Sequence, residues 1–361
     1  MSRSVFLSAG TLVTPIGVGL DAHEKALEKG VSGIKQYPEI GFHQEDLFLS
    51  KIEFIDQDRY NELLKSALND FLSLDFSVEV LRGKTKVIVS STKGNIDALP
   101  FDTFESTRQI LQDIFGAQIE IEIVSNACIS GVIAINDAAN YIKHNQFDYV
   151  VVIGIDVISN FVLYGFQSLF AVSDQPVRPF DKDRKGITLG EGCGIVVLSS
   201  TGLDTNSVAY LAGSSSNDAN HISGPSRTGE GLYRVVERVL RSAEISADEV
   251  DYISAHGTGT LYNDEMESIA FKRCVLECKP INSYKGFFGH TLGAAGVIET
   301  ICSMLSMKKQ MLYRNLGFGE QGTSEKLAII EQNTPCDIDV VLKTASGFGG
   351  GNAALLFKRI V

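Results

Sequence analysis

Ser125-Asn126-Ala127-Cys128-Ile129-Ser130-Gly131 is the stretch from which the rest of the chain can be read. An isoleucine-rich stretch, Ile119 to Val124, leads into it. Out of it comes a helical periodicity, with Ile129, Val132, Ile133, Ile135, Ala138, Ala139 and Ile142 recurring at three- and four-residue spacing. The pattern predicts a strand, a tight turn and a buried helix with Cys128 on its first turn. There the unpaired backbone N–H groups and the helix dipole favour a thiolate over a thiol. Buried free cysteines are also common inert core residues, so Cys128 gains meaning only from its surroundings.

Outward from this stretch the chain alternates. Ser4 to Gly10 reads as a strand, Leu20 to Lys29 as an amphipathic helix ending at Gly30, and Asp58 to Leu74 as a second helix. Lys84 to Ser91 and Ile119 to Val124 read as strands, and Tyr149 to Ile155 and Gly194 to Ser200 as nearly unbroken apolar strands, the mark of a sheet buried on both faces. The class is therefore α/β. Past Ser200 the theme repeats, because Ser207-Val-Ala-Tyr-Leu-Ala-Gly213 echoes Ser4-Val-Phe-Leu-Ser-Ala-Gly10. Helices are expected at Leu232 to Ala243, Asp264 to Cys274 and Ala294 to Lys308, with short strands at Tyr252 to Ala255 and Ile281 to Lys285. Asp339 to Ser346 and Ala353 to Phe357 read as a closing hairpin. A duplication follows, with an N-terminal half 1–203 and a C-terminal half 204–361.

With 361 residues, 44% of them hydrophobic and 21% charged, the chain can bury a large core. Its formal charge of −12 argues against a general nucleic-acid binder and repels acidic partners unless a local basic patch intervenes. No run of eighteen apolar residues and no charged-then-apolar leader at Met1 is present, so neither a membrane span nor a secretory signal is expected. The six cysteines (128, 193, 274, 278, 302 and 336) form no CxxC pair and no His/Cys metal spacing. They read as reduced thiols of a cytoplasmic protein that holds no metal.

Three loops share the character of a site. Ala255-His256-Gly-Thr258-Gly-Thr260 ends a strand in a Gly/Thr-rich turn, and a helix follows at Asp264. Lys285-Gly-Phe-Phe-Gly-His290-Thr-Leu-Gly293 opens the helix that carries Glu299. Ser346-Gly-Phe348-Gly-Gly-Gly-Asn352 joins two strands, and its glycines let backbone approach a ligand closely. Singly, each has an ordinary alternative: a surface histidine, a solvated lysine, a plain hairpin. The glycine loop is neither a dinucleotide fingerprint nor a Walker loop, and His23, His43, His144 and His221 have no comparable setting. Together the residues describe one chemistry. A thiolate accepts acyl groups, two neutral histidines hold the oxygen of a forming enolate, Lys285 favours charged states, and backbone N–H groups supply an oxyanion hole.

The order Cys, His-Gly-Thr-x-Thr, Lys-x-x-x-Gly-His and Gly-Phe-Gly-Gly-x-Asn resembles the β-ketoacyl-acyl-carrier-protein synthases of the elongating type, as does Val177-Arg-Pro-Phe-Asp-Lys-Asp-Arg-Lys-Gly-Ile-Thr-Leu-Gly-Glu-Gly192. The resemblance spans nearly the whole chain. It implies the thiolase fold, two related halves stacked as five alternating layers, αβαβα, and a transferase that forms a homodimer or pairs with a related subunit. It needs no cofactor, and its partner is an acyl carrier protein bearing acyl and malonyl groups on phosphopantetheine. By motif position Cys128 corresponds to the acyl-accepting nucleophile, His256 and His290 to the decarboxylation pair, and Lys285 to the family's site lysine. Phe348 matches the gating aromatic whose N–H joins that of Cys128 in the oxyanion hole. Thr258 and Thr260 match pantetheine-contacting positions, Phe166 an acyl-pocket aromatic, and Glu299, Asp264 and Asn352 supporting residues. The pathway, whether fatty-acid, polyketide or polyene assembly, does not follow from these residues.

The departures from the family pattern carry their own expectations. The segment between Ser91 and Asn126 is compressed, and Phe170 stands where a carrier-contacting arginine is common. The acyl preference should therefore be altered, with Ile110, Leu111, Ile114 and Phe115 as candidates for a new pocket wall. Arg59, Arg178, Arg184 and Lys185 are candidates for a carrier-docking patch. Two other functions compete: a non-catalytic partner subunit, relatives of which lack the nucleophile, and a thiolase, which needs a second reactive cysteine.

Overall fold

The computed structural model describes residues 3–218 and 224–360; His221 lies outside them. Ten strands carry the architecture: β1 (Phe6–Thr14), β2 (Thr85–Ser90), β3 (Glu120–Val124), β4 (Tyr149–Asp156) and β5 (Gly192–Ser199), then β6 (Val208–Asn217), β7 (Tyr252–Ser254), β8 (Pro280–Asn282), β9 (Val340–Gly347) and β10 (Gly351–Arg359). Eight helices of nine residues or more are described. They are α1 (Leu20–Lys29), α2 (Arg59–Leu72), α3 (Glu105–Phe115), α4 (Ser130–Lys143), α5 (Asn160–Ser168), α6 (Glu230–Ala243), α7 (Leu261–Arg273) and α8 (Ala295–Lys309). No helix among the described residues is long and apolar enough to cross a membrane.

The strand order repeats. The N-terminal strands run β1-β5-β4-β2-β3 and the C-terminal strands β6-β10-β9-β7-β8, with antiparallel pairs nearest β1 and β6 and parallel pairs beyond. The two sets meet where β1 pairs with β6, at Phe6 with Ala209 and Leu7 with Val208. The two echoing stretches of sequence thus lie side by side at the centre of one twelve-stranded sheet.

Side-chain alternation builds the layers. In β4, Val150 and Val152 face one core, while Val151, Ile153 and Ile155 face another that holds Leu63, Leu64 and Leu68 of α2. In β9, Val341 and Ala345 face the first core, while Val340 and Leu342 pack with Val235, Val236 and Val239 of α6. The shared core is filled by α4 and α8, and every residue of α8 from Ala295 to Met307 is buried. Helix, sheet, helix pair, sheet and helix give five layers, the thiolase fold. Each buried Leu, Ile or Val contributes roughly 1.5–3 kcal/mol, which is why apolar runs mark the interior strands β4 and β5, while β3 at the sheet edge alternates Glu120, Ile121, Glu122 and Ile123.

The two central helices touch where each carries a glycine in its second position. A Cβ on Gly131 would lie 2.9 Å from Gly296 Cα, and one on Gly296 would lie 2.6 Å from Val132 N. The turns ahead of them match as well: Ala127 has φ 44° and Leu292 φ 53°, left-handed values rare outside glycine. Counting from these residues, Gly293 holds in the second half the place that Cys128 holds in the first.

Three expectations change. Cys128 precedes the N-cap Ile129 and sits in the elbow, not on the first helical turn. Lys285 begins a one-turn helix, Lys285–Phe288, instead of ending a strand. Ile110, Leu111, Ile114 and Phe115 lie on α3 and pack against the outer core of the first half, lining neither cavity beside Cys128, so they build no pocket wall.

Candidate active site

The strained elbow presents Cys128 on a sharp strand-to-helix turn, with Asn126 and Cys128 forming an isolated bridge. From the pseudo-equivalent turn, His290 points back, and its Nε2 lies 3.0 Å from Cys128 Sγ. His256 lies two residues past the end of β7, its ring meeting that of His290 edge-on at 5.1 Å between centroids. All three side chains are buried.

Both imidazoles have their tautomer assigned by neighbours. The Leu292 N–H donates to His290 Nδ1 at 3.3 Å. The Lys285 ammonium lies 3.3 Å from His256 Nδ1 and donates to the His256 carbonyl at 2.5 Å. With Nδ1 an acceptor in each ring, the single proton sits on Nε2. Burial, followed by the charge of Lys285, holds both histidines well below the usual imidazole value, so both are neutral. The ligand-type atoms of Cys128, His256 and His290 lie within 4.8 Å of one another. That grouping has the donor types of a zinc site. Yet a protonated Nε2 has no lone pair to give, and the set is better suited to hydrogen-bond donation.

The sulfur is subject to opposing effects. Burial pushes the Cys128 thiol up to about 12, against the opposing pull of Lys285 and of the Phe348 N–H. The resting group is a thiol, and the thiolate expected from the helix terminus is not reached in the closed pocket. His290 Nε2–H and the Phe348 N–H nonetheless both face the sulfur, ready to support negative charge there.

Carboxylates organise the loops. Glu267 of α7 accepts the backbone N–H groups of His256 (2.8 Å) and Gly257 (2.6 Å), and burial and Asp264 push it up to about 7. Asp264 accepts from Thr258 N and Phe180 N at 2.9 and 2.7 Å. Thr260 caps α7 and is 2.9 Å from the Thr258 hydroxyl. Asp156, at the end of β4, accepts from Gly293 N and from Lys93, both at 2.8 Å. Glu299 of α8 pairs with Lys285 at 2.6 Å. Ser346 donates to Asn352 at 2.8 Å, closing the glycine turn.

Two cavities meet at Cys128. One of about 440 Å³ runs outward past His256, Thr258, Thr260 and Lys185 to Phe170 and Tyr262. The other, of about 350 Å³, is walled by Phe161, Val162, Gly165, Phe166, Leu169 and Leu292. Phe348 and Phe166 stack at 5.4 Å between ring centroids and line both. The structure thus brings together Cys128, His256, His290, Lys285, Phe348, Thr258, Thr260 and Phe166, with Glu299, Asp264 and Asn352 behind them.

The expected basic patch is not brought together. Arg59 is bound to buried Glu191 and to the Ile52 carbonyl, and Arg184, 5% exposed, donates to the Asp181 and Leu261 carbonyls. Arg178 pairs with Asp181 at 3.1 Å. Only Lys185 of the four lines the outer cavity. Sequence reasoning missed Glu267, Asp156 and above all Lys343, which is 0% exposed. A lysine inside the apolar run Val340 to Ala345 was the available signal.

Two family models match the chain: the beta-ketoacyl synthase N-terminal domain over residues 115–202 and its C-terminal domain over residues 208–319. A Schizosaccharomyces pombe protein, whose name gives it as a mitochondrial 3-oxoacyl-[acyl-carrier-protein] synthase, is 28% identical over the whole of both chains. The 3-oxoacyl-[acyl-carrier-protein] synthase 2 of Rhizobium meliloti is 35% identical over 65% of this chain and 60% of its own length. In this and other relatives the chain spans 53 to 64% of their length. Among solved structures, the Xenorhabdus doucetiae ketosynthase ApeO in complex with its chain length factor superposes with a TM-score of 0.90 at 25% identity, covering 99% of this chain and 98% of that one. A type II polyketide ketosynthase bound to a hexaketide, with its acyl-carrier protein, shares the fold with a TM-score of 0.88 at 23% identity over all of both chains.

Proposed function

The chain belongs to the β-ketoacyl synthase family, and on that premise we propose that it lengthens acyl chains by decarboxylative Claisen condensation. The observation that carries this reading is the pair of neutral imidazoles grouped with the Cys128 sulfur, ring nitrogens and sulfur lying within 4.8 Å of one another. In the first half-reaction the sulfur attacks an acyl thioester. The new bond is acyl–S-Cys128, the bond to the carrier sulfur breaks, and the departing thiolate leaves as a thiol with the Cys128 proton. The N–H groups of Cys128 and Phe348 hold the oxyanion. In the second half-reaction a malonyl thioester enters past Thr258 and Thr260 and its carboxylate leaves as CO₂. The electron pair stays on the enolate, whose oxygen takes hydrogen bonds from His256 and His290. The carbanion attacks the acyl-Cys128 carbonyl, the C–S bond breaks, and the Cys128 thiolate takes up one proton from solvent, so that each condensation consumes one proton. Lys285 and Glu299 hold His256 in its donor tautomer, and Phe166 and Phe348 guard the passage to the second cavity.

An acidic acyl carrier protein is the donor we propose, meeting the outer cavity at its Phe170 and Tyr262 mouth. The ketosynthases similar in fold that are seen with a carrier protein or a chain length factor support that partner and support a dimer, formed with a second copy or with a related subunit. Free cysteines throughout support a reducing compartment such as the cytoplasm. The test is mass spectrometry after incubation with acyl-carrier protein, followed by malonyl-carrier protein. Gain of the acyl mass on Cys128 and release of CO₂ are expected. A chain that takes no acyl group is the non-catalytic subunit instead, and one that takes it but releases no CO₂ from malonyl-carrier is a thiolase.

A further inference from the structure

Strand β9 places Val341, Lys343 and Ala345 on the face that meets the central helices. A lysine there must be partnered, since an unpaired buried ammonium is prohibitive. Lys343 Nζ donates to the carbonyls of Thr344 (2.6 Å) and Ser254 (3.3 Å). It also lies 2.7 Å from Glu299 Oε2, an ion-pair contact off the hydrogen-bond axis. Lys285 holds the other oxygen, Oε1, at 2.6 Å and itself meets the His256 carbonyl and Nδ1. Each Nζ therefore has three acceptor atoms around it, which suits an ammonium and not an amine. Burial works against the Lys343 ammonium and the Glu299 carboxylate beside it opposes that; with two ammonium groups sharing one carboxylate, the trio carries a net charge of +1 in a fully buried site.

We propose that Lys343 is a positioning residue of the site, one that acts through Glu299 and through its charge. By taking the second oxygen of Glu299 it holds that carboxylate, and through it Lys285, against His256. Its charge adds to burial and to Lys285 in holding His256 and His290 neutral and donating. The inference rests on the reading of this centre as a decarboxylating one. The groups facing the two imidazoles are Cys128 from the elbow before α4, Lys285 from its one-turn helix, Glu299 from α8, Lys343 from β9, and Glu267 and Asp264 from α7. Of these, Lys343 is among the causes that depress both histidines. With only Lys285 and Glu299 left, the trio is neutral and the imidazoles protonate at higher pH.

Charge arithmetic gives the test. Lys343→Met lowers the trio to zero, Lys343→Met combined with Glu299→Gln restores +1, and Glu299→Gln alone raises it to +2. Histidine-selective NMR titration of the full chain and the pH profile of malonyl-carrier decarboxylation are read on each. In Lys343→Met both the titration of His256 and His290 and the acid limb of the profile should move up by about one pH unit, the effect of a unit charge removed from a buried site. The double variant should return them, and Glu299→Gln should move them down. The last variant keeps the proposal testable if Lys343→Met fails to fold. Titrations that stay in place in all three variants, or a double variant that does not return them, overturn the role. If the wild-type chain releases no CO₂ while the NMR shifts appear as described, the reaction assignment falls and the electrostatic role stands.

Discussion

At the scale of single residues the proposed function assigns two separate duties, acyl acceptance to Cys128 and enolate stabilisation to His256 and His290. Cys128→Ala should abolish acyl transfer and condensation yet leave malonyl-carrier decarboxylation measurable. His256→Ala and His290→Ala should each slow decarboxylation roughly a hundred- to a thousand-fold, about 3–4 kcal/mol for one lost donor, with single-turnover acylation retained. Condensation product from the alanine variant of Cys128 would refute the nucleophile. The thiol's own titration offers a second check. Because burial raises it to about 12, its thiolate fraction grows with pH throughout the neutral range. Alkylation by iodoacetamide should climb steadily between neutral pH and about pH 10. It should be slower at every pH in Lys285→Ala, since losing a nearby cation raises the thiol further. A plateau already at neutral pH would mean that the elbow's N–H groups and the helix dipole outweigh burial.

At the scale of elements, α5 sets the second cavity. Phe161, Val162, Gly165 and Phe166 recur along it and line that space. Nothing lies within 4 Å of a Cβ built on Gly165. Gly165→Leu should therefore fill the cavity without straining the fold, and it gains helix propensity of up to about 1 kcal/mol. The longest acyl chain accepted should shorten, since each methylene refused forgoes about 0.8 kcal/mol of burial. Condensation rates across saturated carriers of increasing length check this; an unchanged profile would place the acyl chain elsewhere. The compressed segment from Ser91 to Asn126 acts here through Thr92 and Lys93, which border the cavity, and not through α3.

At the scale of the whole molecule, the formal charge of −12 is of the same sign as the acidic carrier proposed as the partner. The outer cavity opens between apolar groups, with Phe170 93% and Tyr262 77% exposed, and the basic group on its lining, Lys185, lies 3.4 Å from Asp174. Docking should depend on this apolar rim more than on charge. Phe170→Asp should raise KM for the carrier-bound substrate several-fold while changing kcat less. An approximately tenfold rise in salt should change KM less than that substitution does, because apolar contacts are not screened. A steep loss of binding with salt, insensitive to Phe170, would restore the basic-patch model.

The sequence alone determined the α/β class, the repeat of strand and helix across two halves, and the four motifs that make the site. Each of these is written in local signals: unbroken apolar runs for strands buried on both faces, 3.6-residue periodicity after Cys128, glycines where backbone must turn. What the tertiary structure decided depends on distance in space. That Gly131 and Gly296 let the central helices touch, and so bring Cys128 within 3.0 Å of His290, is a packing fact between residues far apart in the chain. The tautomers of His256 and His290 were set by a lysine and a backbone N–H that only folding places beside them. Arg59 and Arg184 looked like docking charges until burial turned them inward onto Glu191 and the Asp181 and Leu261 carbonyls. Lys343 looked like a flaw in an apolar strand until Glu299 came within 2.7 Å of it. A charge in sequence is only a charge; its partner, and therefore its meaning, is decided when the layers close.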